Sequence, residues 1–140
     1  MMKNSKKWIT LLFALYFALV LSACSGNSAE YESLSSFEYH FYPEEYEEEY
    51  SEITRDISLE RGKNYKFSIK SECKSGTITI ILTYDGNNEN KYIITAESPC
   101  EKQIEILEGT TDETTFTINI DPDTEGFVIV EQLIKNSQAK

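Results

Sequence analysis

Apolar and polar residues alternate with a period of two along most of the chain after residue 35. This spacing is typical of β-strands that bury one face, because successive side chains of a strand point to opposite sides. Turn-forming residues such as glycine, asparagine and aspartate separate the alternating runs about every 8–12 residues. The pattern predicts seven or eight strands, with their apolar positions at Phe37, Tyr39 and Phe41, Ile57 and Leu59, Tyr65, Phe67 and Ile69, Ile78, Ile80 and Leu82, Tyr92 and Ile94, Ile104 and Ile106, Phe116, Ile118 and Ile120, and Phe127 and Ile129.

So many short strands in one segment predict an all-β fold, an antiparallel β-sandwich of jelly-roll or immunoglobulin-like type. We expect a single sandwich domain over residues 35–135, followed by a polar tail at 136–140. The glycine-marked turn before Tyr65-Lys66-Phe67 makes the strand pattern similar to small extracellular jelly-roll or carbohydrate-binding-type sandwiches. That resemblance implies a binding role.

Pro43 interrupts the alternation after the first predicted strand. Proline is favoured at the first position of a helix, and the two glutamates that follow it favour a helix N-terminus. The sequence therefore predicts a short helix in which Tyr46, Tyr50 and Ile53 share one face.

The first 24 residues have a different composition from the rest. Lys3, Lys6 and Lys7 precede the apolar stretch from Trp8 to Leu21, and Leu21-Ser22-Ala23-Cys24 follows as an aliphatic residue, two small residues and a cysteine. The apolar stretch is shorter than the roughly 20 residues that a spanning helix needs, and it has the three-part plan of a secretory signal. The segment resembles a bacterial lipoprotein signal with its lipobox. The alternative is an ordinary signal peptide in which Cys24 is incidental.

The lipoprotein resemblance implies where the protein resides. Residues 1–23 would be removed as the signal peptide, and Cys24 would carry a diacylglyceryl group at the new N-terminus. Two acyl chains hold a protein on a membrane. Residues 24–34 would then form the lipidated end and a flexible tether, since they are mostly small and polar. We expect a bacterial envelope protein on the outer face of the cytoplasmic membrane, or on the outer membrane of a cell that has one.

The charge balance excludes one class of partner. The three lysines before position 8 belong to the predicted signal, so the remainder has 24 acidic and 10 basic residues, a net charge of −14. Nucleic-acid binding requires clusters of lysine and arginine that are absent from this sequence. Cationic partners become more plausible, although solubility alone is a common reason for such a charge.

Cys73 and Cys100 remain once Cys24 is assigned to lipid. An even pair of cysteines in an exported domain predicts a disulfide. The strands between them run out and back, so both cysteines are expected at the same end of a sheet. The alternative is two free thiols that pack as small apolar side chains.

Asp121, Asp123 and Glu125 place carboxylates at alternate positions before a glycine, which is the spacing of a calcium loop. The twelfth position of such a loop is Gln132 rather than a bidentate glutamate, and the preceding residues are predicted as a strand. An acidic turn between two strands is the alternative interpretation. No other cofactor is expected.

The region between Glu30 and Asp56 contains ten carboxylates and five of the nine tyrosines. Tyrosine has a flat apolar face and a polar tip, which suits sugars, peptides and protein partners. We therefore take Tyr39, Tyr42, Tyr46 and Tyr50 as a candidate interaction surface. The alternative is that these rings simply pack an edge strand onto the sandwich.

No catalytic motif occurs in the chain, and its only histidine is His40, so we expect no enzyme activity. The sequence predicts a non-catalytic, membrane-anchored module that binds an envelope protein or a glycan. The alternatives are a structural or accessory subunit of an envelope assembly, and a calcium-dependent carbohydrate-binding-type sandwich.

Overall fold

The alternating segments form eight β-strands in the computed structural model, which describes residues 30–85, 88–106 and 112–136. The predicted signal peptide and Cys24 lie outside the described residues, as do residues 137–140 of the predicted tail. None of the helical segments in the described ranges is long and apolar enough to cross a membrane. The strands are β1 (Tyr31–Phe41), β2 (Glu52–Ser58), β3 (Tyr65–Ser75), β4 (Ile78–Tyr84), β5 (Asn88–Ile94), β6 (Cys100–Ile106), β7 (Glu113–Ile120) and β8 (Glu125–Lys135).

The strands form two four-stranded antiparallel sheets, with the orders β1-β8-β3-β6 and β2-β7-β4-β5. The predicted antiparallel sandwich is therefore confirmed. Apart from the β4–β5 hairpin, each strand is followed by a strand of the other sheet. This crossing pattern is that of a jelly roll, and it decides between the two types of sandwich that the sequence left open.

The core lies between the inward faces of the two sheets, as the alternation requires. On β3, Phe67 and Ile69 are fully buried while Lys66 and Lys70 face outward. Phe67 meets Phe116 of β7 edge to face, with ring centroids 5.2 Å apart, a favoured geometry for aromatic pairs. The remaining fully buried apolar side chains are Ile78, Ile80, Leu82, Ile94, Ile118, Val128 and Val130.

Two segments near the N-terminal end of the domain differ from the sequence-based expectation. β1 begins at Tyr31, inside the stretch that was predicted as tether. After Pro43 the chain forms two separate 3-10 turns, Pro43–Glu45 and Glu48–Tyr50, in place of one helix. Tyr46 between them is extended, with φ −65° and ψ 130°, so the helical face predicted for the tyrosines does not form.

The predicted disulfide is not formed, because Cys73 and Cys100 are both free and buried. Both lie at the same end of one sheet, as expected, but their register is wrong for a bond. Cys100 pairs with Ser71, so Cys73 lies two positions further along β3, next to a bulge. Diagonal neighbours of this kind are about 7–8 Å apart, beyond the usual Cα separation of a disulfide. The thiols pack as small apolar side chains.

Strand register brings several connections to one end of the sandwich. Phe41 at the end of β1 pairs with Gly126 near the start of β8, and Gly126 also pairs with Cys73 near the end of β3. Ile78 at the start of β4 pairs with Ile120 at the end of β7. The β1–β2 connection therefore lies beside the β3–β4 and β7–β8 turns. We call this end the β1–β2 end.

Candidate functional site

The four tyrosines singled out in the sequence line one open cavity at the β1–β2 end, which we call the tyrosine cavity. Its volume is about 190 Å³. β1 and the β1–β2 connection supply most of its wall, and β2 and β7 supply one residue each. The lining residues are Tyr39, His40, Phe41, Tyr42, Glu45, Tyr46, Glu47, Tyr50, Ile53 and Ile120.

Local sequence explains how the β1–β2 connection curls around the cavity. Pro43 presets the backbone for a turn and has no N–H to satisfy. The N–H of Glu45 donates to the carbonyl of Tyr42 at 3.0 Å, and the N–H of Tyr46 donates to that of Pro43 at 3.2 Å. The first turn is thereby closed, and the chain continues extended through Tyr46 into the second.

The second turn ties the connection to the sandwich. The N–H of Tyr50 donates to the carbonyl of Glu47 at 2.9 Å, and the Ser51 hydroxyl donates to the carbonyl of Glu48 at 2.8 Å. The carbonyl of Ser51 in turn accepts from the N–H of Ile120 at 2.9 Å. Tyr50 is thus held at the cavity rim by the last residue of β7.

A row of aromatic rings supports the cavity floor. Phe116 in the core meets Phe37 edge to face at 5.6 Å, and Phe37 meets Tyr39 at 5.8 Å. Tyr39 stacks on Phe41 at 6.4 Å with an angle of 18° between the rings. Because core side chains are closely packed, this row connects the two cavity rings Tyr39 and Phe41 to the rigid centre of the sandwich.

Arg55 of β2 covers the same row from one side. Its guanidinium carbon lies 4.8 Å from the centre of the Phe37 ring, and its Nη1 donates to the Tyr39 hydroxyl at 3.3 Å. Stacking of this kind is a cation–π contact. The Tyr39 hydroxyl thus already has Arg55 as a partner within the molecule. Among the described residues, no cation lies over the ring of Tyr42, Tyr46 or Tyr50.

The two outermost tyrosines of the cavity are well exposed. Tyr50 is 62% exposed and Tyr42 is 42% exposed. Leu34 and Ile93 are the other large exposed apolar side chains of the described ranges; they lie on β1 and β5, and neither lines the cavity. The tyrosine cavity is therefore the place in the described part of the chain where large exposed apolar side chains gather.

A second open cavity of about 180 Å³ adjoins the first and shares His40 and Tyr42 with it. We call it the adjoining cavity. His40 faces outward from β1, lies 6.1 Å from the Phe127 ring and is paired with Glu38. The other lining residues are Glu72, Cys73, Lys74, Glu125, Gly126 and Phe127.

Sequence reasoning missed the adjoining cavity because its residues come from three strands that only the sheet places together. His40, Phe127 and Glu72 follow one another across β1, β8 and β3 in the pairing register. Lys74 donates to the Glu125 carboxylate at 3.2 Å. Burial raises the pKa of the Cys73 thiol, so this cysteine is predominantly a thiol rather than a nucleophilic thiolate at neutral pH.

The candidate calcium loop forms the turn between β7 and β8. The Thr124 hydroxyl accepts from the N–H of Asp121 at 3.1 Å and lies 2.8 Å from the Asp121 carboxylate. Glu125 is engaged by a lysine, as described above. Within the described ranges, no group of three or more histidine, cysteine or acidic side chains is arranged to hold a metal ion. The alternating carboxylates therefore do not converge, and the acidic-turn interpretation describes the segment.

Comparison with known proteins identifies no family. No protein-family model matches the chain, and no curated protein sequence matches it. Similar solved structures include the carbohydrate-binding module TmCBM61 in complex with β-1,4-galactotriose, at 13% identity and a TM-score of 0.41 over 76% of this chain and 69% of that one. A CBM4 structure has 13% identity and a TM-score of 0.39 over 61% of each chain.

A third similar structure is the capsular polysaccharide assembling protein CapF from Staphylococcus aureus. It has 13% identity and a TM-score of 0.33 over 79% of this chain and 28% of that one. The chain therefore spans less than a third of CapF and about three fifths of the CBM4 structure. At these identities the similarity concerns the sandwich fold alone.

Proposed function

We propose that this protein is a non-catalytic binding module whose ligand site is the tyrosine cavity. The observation that carries the proposal is that Tyr39, Tyr42, Tyr46 and Tyr50 line one cavity at the β1–β2 end. Rings that served only to pack an edge strand would be buried, and Tyr42 and Tyr50 are exposed. Exposed tyrosines at a concave site are typical of surfaces that bind sugars, peptides and proteins.

The proposal includes attachment to a membrane through Cys24. The support for it is the signal-like N-terminal segment and its lipobox. β1 begins at Tyr31, so six residues separate the lipidated cysteine from the first strand. Such a short tether would keep the module close to the outer face of the membrane, where it would meet envelope proteins or glycans.

A role without ligand binding, as a structural subunit that docks through a sheet face, receives less support. That role requires a large apolar patch on an outer face. The described outer faces have Leu34 and Ile93 as isolated exposed apolar side chains on different strands. Two of the four large exposed apolar side chains of the described residues, Tyr42 and Tyr50, instead line the cavity.

Site-specific photocrosslinking in the native envelope tests the proposed site. A benzophenone amino acid is placed at Tyr50, which is 62% exposed, and in a control protein at Ile93, which is 58% exposed. Tyr50 lies just before edge strand β2, and Ile93 lies on β5, the opposite edge strand of the same sheet. We expect a discrete crosslinked product from position 50 that is absent from position 93, and that disappears when Tyr42 and Tyr46 are also replaced by serine.

Equal products from positions 50 and 93, or a product that survives the serine replacements, would contradict the site. Absence of a product from position 50 in envelopes that contain the full-length protein would contradict it as well. Membrane attachment is tested separately by replacing Cys24 with alanine, which should release the protein from the membrane fraction.

A further inference from the structure

The surroundings of the tyrosine cavity have a strong and unbalanced negative charge. Glu45 and Glu47 line the cavity, and Glu44, Glu48 and Glu49 flank them in the sequence. All five carboxylates are exposed. No lysine or arginine occurs in the sequence between Lys7 and Arg55, so the connection that forms the cavity contains no cation of its own.

Four acidic residues elsewhere in the sandwich have a lysine or arginine partner. The structure pairs Glu60 with Lys63 at 2.6 Å, Glu105 with Lys66 at 3.5 Å and Glu125 with Lys74 at 3.2 Å, and it also pairs Asp112 with Arg61. In the described ranges, none of the five glutamates around the cavity has a basic partner. Like charges this close repel one another, and a bound cation would relieve that repulsion.

The aromatic rings of β1 already bind cations within the molecule. The Lys66 ammonium lies 4.1 Å from the centre of the Tyr31 ring, and the Arg55 guanidinium stacks on Phe37 at 4.8 Å. A cation over an aromatic face is attracted by the quadrupole of the ring. The exposed rings Tyr42 and Tyr50 offer the same faces, with carboxylates beside them and no internal cation in the described structure.

The adjoining cavity extends the candidate site beyond the tyrosine cavity. It shares His40 and Tyr42 with the tyrosine cavity, and its wall also includes Phe127 and the Lys74–Glu125 pair. A single small amine would fill one cavity, whereas two cavities in contact fit a chain with side chains or backbone in both. A metal ion is a poor fit, because the carboxylates do not converge.

We infer that the tyrosine cavity binds a lysine or arginine side chain of a basic partner polypeptide, whose chain continues into the adjoining cavity. This inference rests on the proposed function, since it names the partner class of that same site. The rings would stack on the cationic group while Glu45 and Glu47 neutralise its charge. A neutral oligosaccharide would use the rings but not the carboxylates.

Fluorescence anisotropy with a labelled peptide of alternating lysine and glycine tests the inference. The full-length protein is used in micelles of a neutral detergent, and its binding is compared with that of the same peptide with acetylated lysines. We expect acetylation to weaken binding about tenfold, because it removes the charge and the cation–π contact. Raising the salt from 50 to 500 mM should weaken the lysine peptide to a similar degree.

Charge-neutral replacements identify the site of binding. We expect the double variant Glu45→Gln and Glu47→Gln to bind the lysine peptide at least about fivefold more weakly. The matched control is Glu89→Gln with Glu101→Gln, which removes two exposed carboxylates on β5 and β6 and should leave affinity within about twofold. Both pairs are exposed, so neither should change the unfolding midpoint.

A third variant, Tyr46→Leu, keeps an apolar side chain but removes the ring. We expect it to weaken the lysine peptide about fivefold while the fold persists. Equal binding of the acetylated peptide, equal loss in the Glu89 and Glu101 control, or no binding of the lysine peptide would each overturn the basic partner.

The same measurements separate this inference from the proposed function. Binding of maltohexaose that is lost in the Tyr46→Leu variant, without binding of the lysine peptide, would overturn the basic partner and leave the binding module intact. A product from position 50 in the crosslinking experiment, together with no binding of the lysine peptide, would have the same meaning. Failure of that crosslink together with failure of every probe would overturn both.

Discussion

The hydroxyl of Thr124 holds the β7–β8 turn together, and its removal gives a sharp test of the structure. Thr124 is buried, with 2% of its side chain exposed. Its Oγ1 accepts from the N–H of Asp121 at 3.1 Å and lies 3.1 Å from the carbonyl of Thr77, so it joins this turn to the β3–β4 turn. The substitution Thr124→Val keeps the branched shape and removes these hydrogen bonds.

The expected cost follows from the groups left without partners. A buried hydrogen-bonding group that loses its partner costs about 1–3 kcal/mol. The Asp121 N–H loses its acceptor, and the one hydroxyl proton is lost to the two oxygens that share it, the Asp121 carboxylate at 2.8 Å and the Thr77 carbonyl at 3.1 Å. Allowing for partial access of water to Asp121, we expect Thr124→Val to lower the free energy of unfolding by about 2–4 kcal/mol. In a domain of this size that corresponds to a fall in melting temperature of roughly 10–20 °C.

Thr114 provides a matched control with the opposite hydrogen-bond environment. It is fully buried like Thr124, but its hydroxyl oxygen has no hydrogen-bond partner. Because burying an unpaired hydroxyl is unfavourable, we expect Thr114→Val to leave stability unchanged or to raise it by about 1 kcal/mol. Urea unfolding followed by far-UV circular dichroism, with equal m-values required for comparison, measures both variants.

Either of two outcomes for the Thr124→Val and Thr114→Val variants would contradict the proposed role of the Thr124 hydroxyl. If Thr124→Val unfolds within about 0.5 kcal/mol of the parent protein, the hydroxyl does not hold the two turns together. If Thr114→Val is destabilised as much as Thr124→Val, the buried hydroxyls differ in some way other than their hydrogen bonds. A fall in stability confined to Thr124→Val supports the turn described above.

Three further predictions concern other parts of the sandwich. A Cβ at Gly126 would lie 2.2 Å from the backbone carbonyl oxygen of Glu72, so Gly126→Ala should destabilise the fold by more than about 2 kcal/mol. A melting temperature equal to that of the parent would contradict the close approach of β8 to β3. Burial raises the pKa of both the Cys73 and Cys100 thiols, so alkylation of these thiols at pH 7 should be slow in the folded protein and fast in denaturant. Rapid alkylation without denaturant would contradict the burial of the two thiols. The Arg61 guanidinium lowers the pKa of Asp112 below its ordinary value of 3.8, so the contribution of the ion pair to stability is present above that value and is lost as the pH falls through the lower folded-state value. Asp112→Asn should therefore differ from the parent in melting temperature at pH 7, and the difference should shrink as the pH is lowered below 3.8. A difference that does not change with pH would argue against the ion pair.

The candidate site shows which features the local sequence pattern predicts and which it does not. Tyr39 could be placed on a strand, and Pro43 could be placed after the end of that strand, because each depends on the residues next to it. The convergence of Tyr46 and Tyr50 was predicted on a helical face, and the structure instead brings them together through two 3-10 turns tied to Ile120 of β7. The hydrogen bond from the N–H of Ile120 to the carbonyl of Ser51 joins residues far apart in the sequence, so the residues next to either one do not predict it.

The cysteines show the opposite case, in which a correct local reading led to a wrong conclusion. Cys73 and Cys100 do reach the same end of one sheet, but a bond between them depends on register to within one residue. The register of β3 and β6 is set by which apolar side chains face the shared core, and it places Cys100 opposite Ser71.

The sequence by itself determined the strands, the turns between them and the two-sheet class, because a period of two in burial is a local property of an extended chain. It also determined the acidic, tyrosine-rich character of the β1–β2 connection. The tertiary structure alone decided the jelly-roll order, the free thiols, the Thr124 turn and the adjoining cavity built from β1, β3 and β8. Each of these depends on which distant strands pair and in what register, and that choice is made by packing of the whole core rather than by any segment of it.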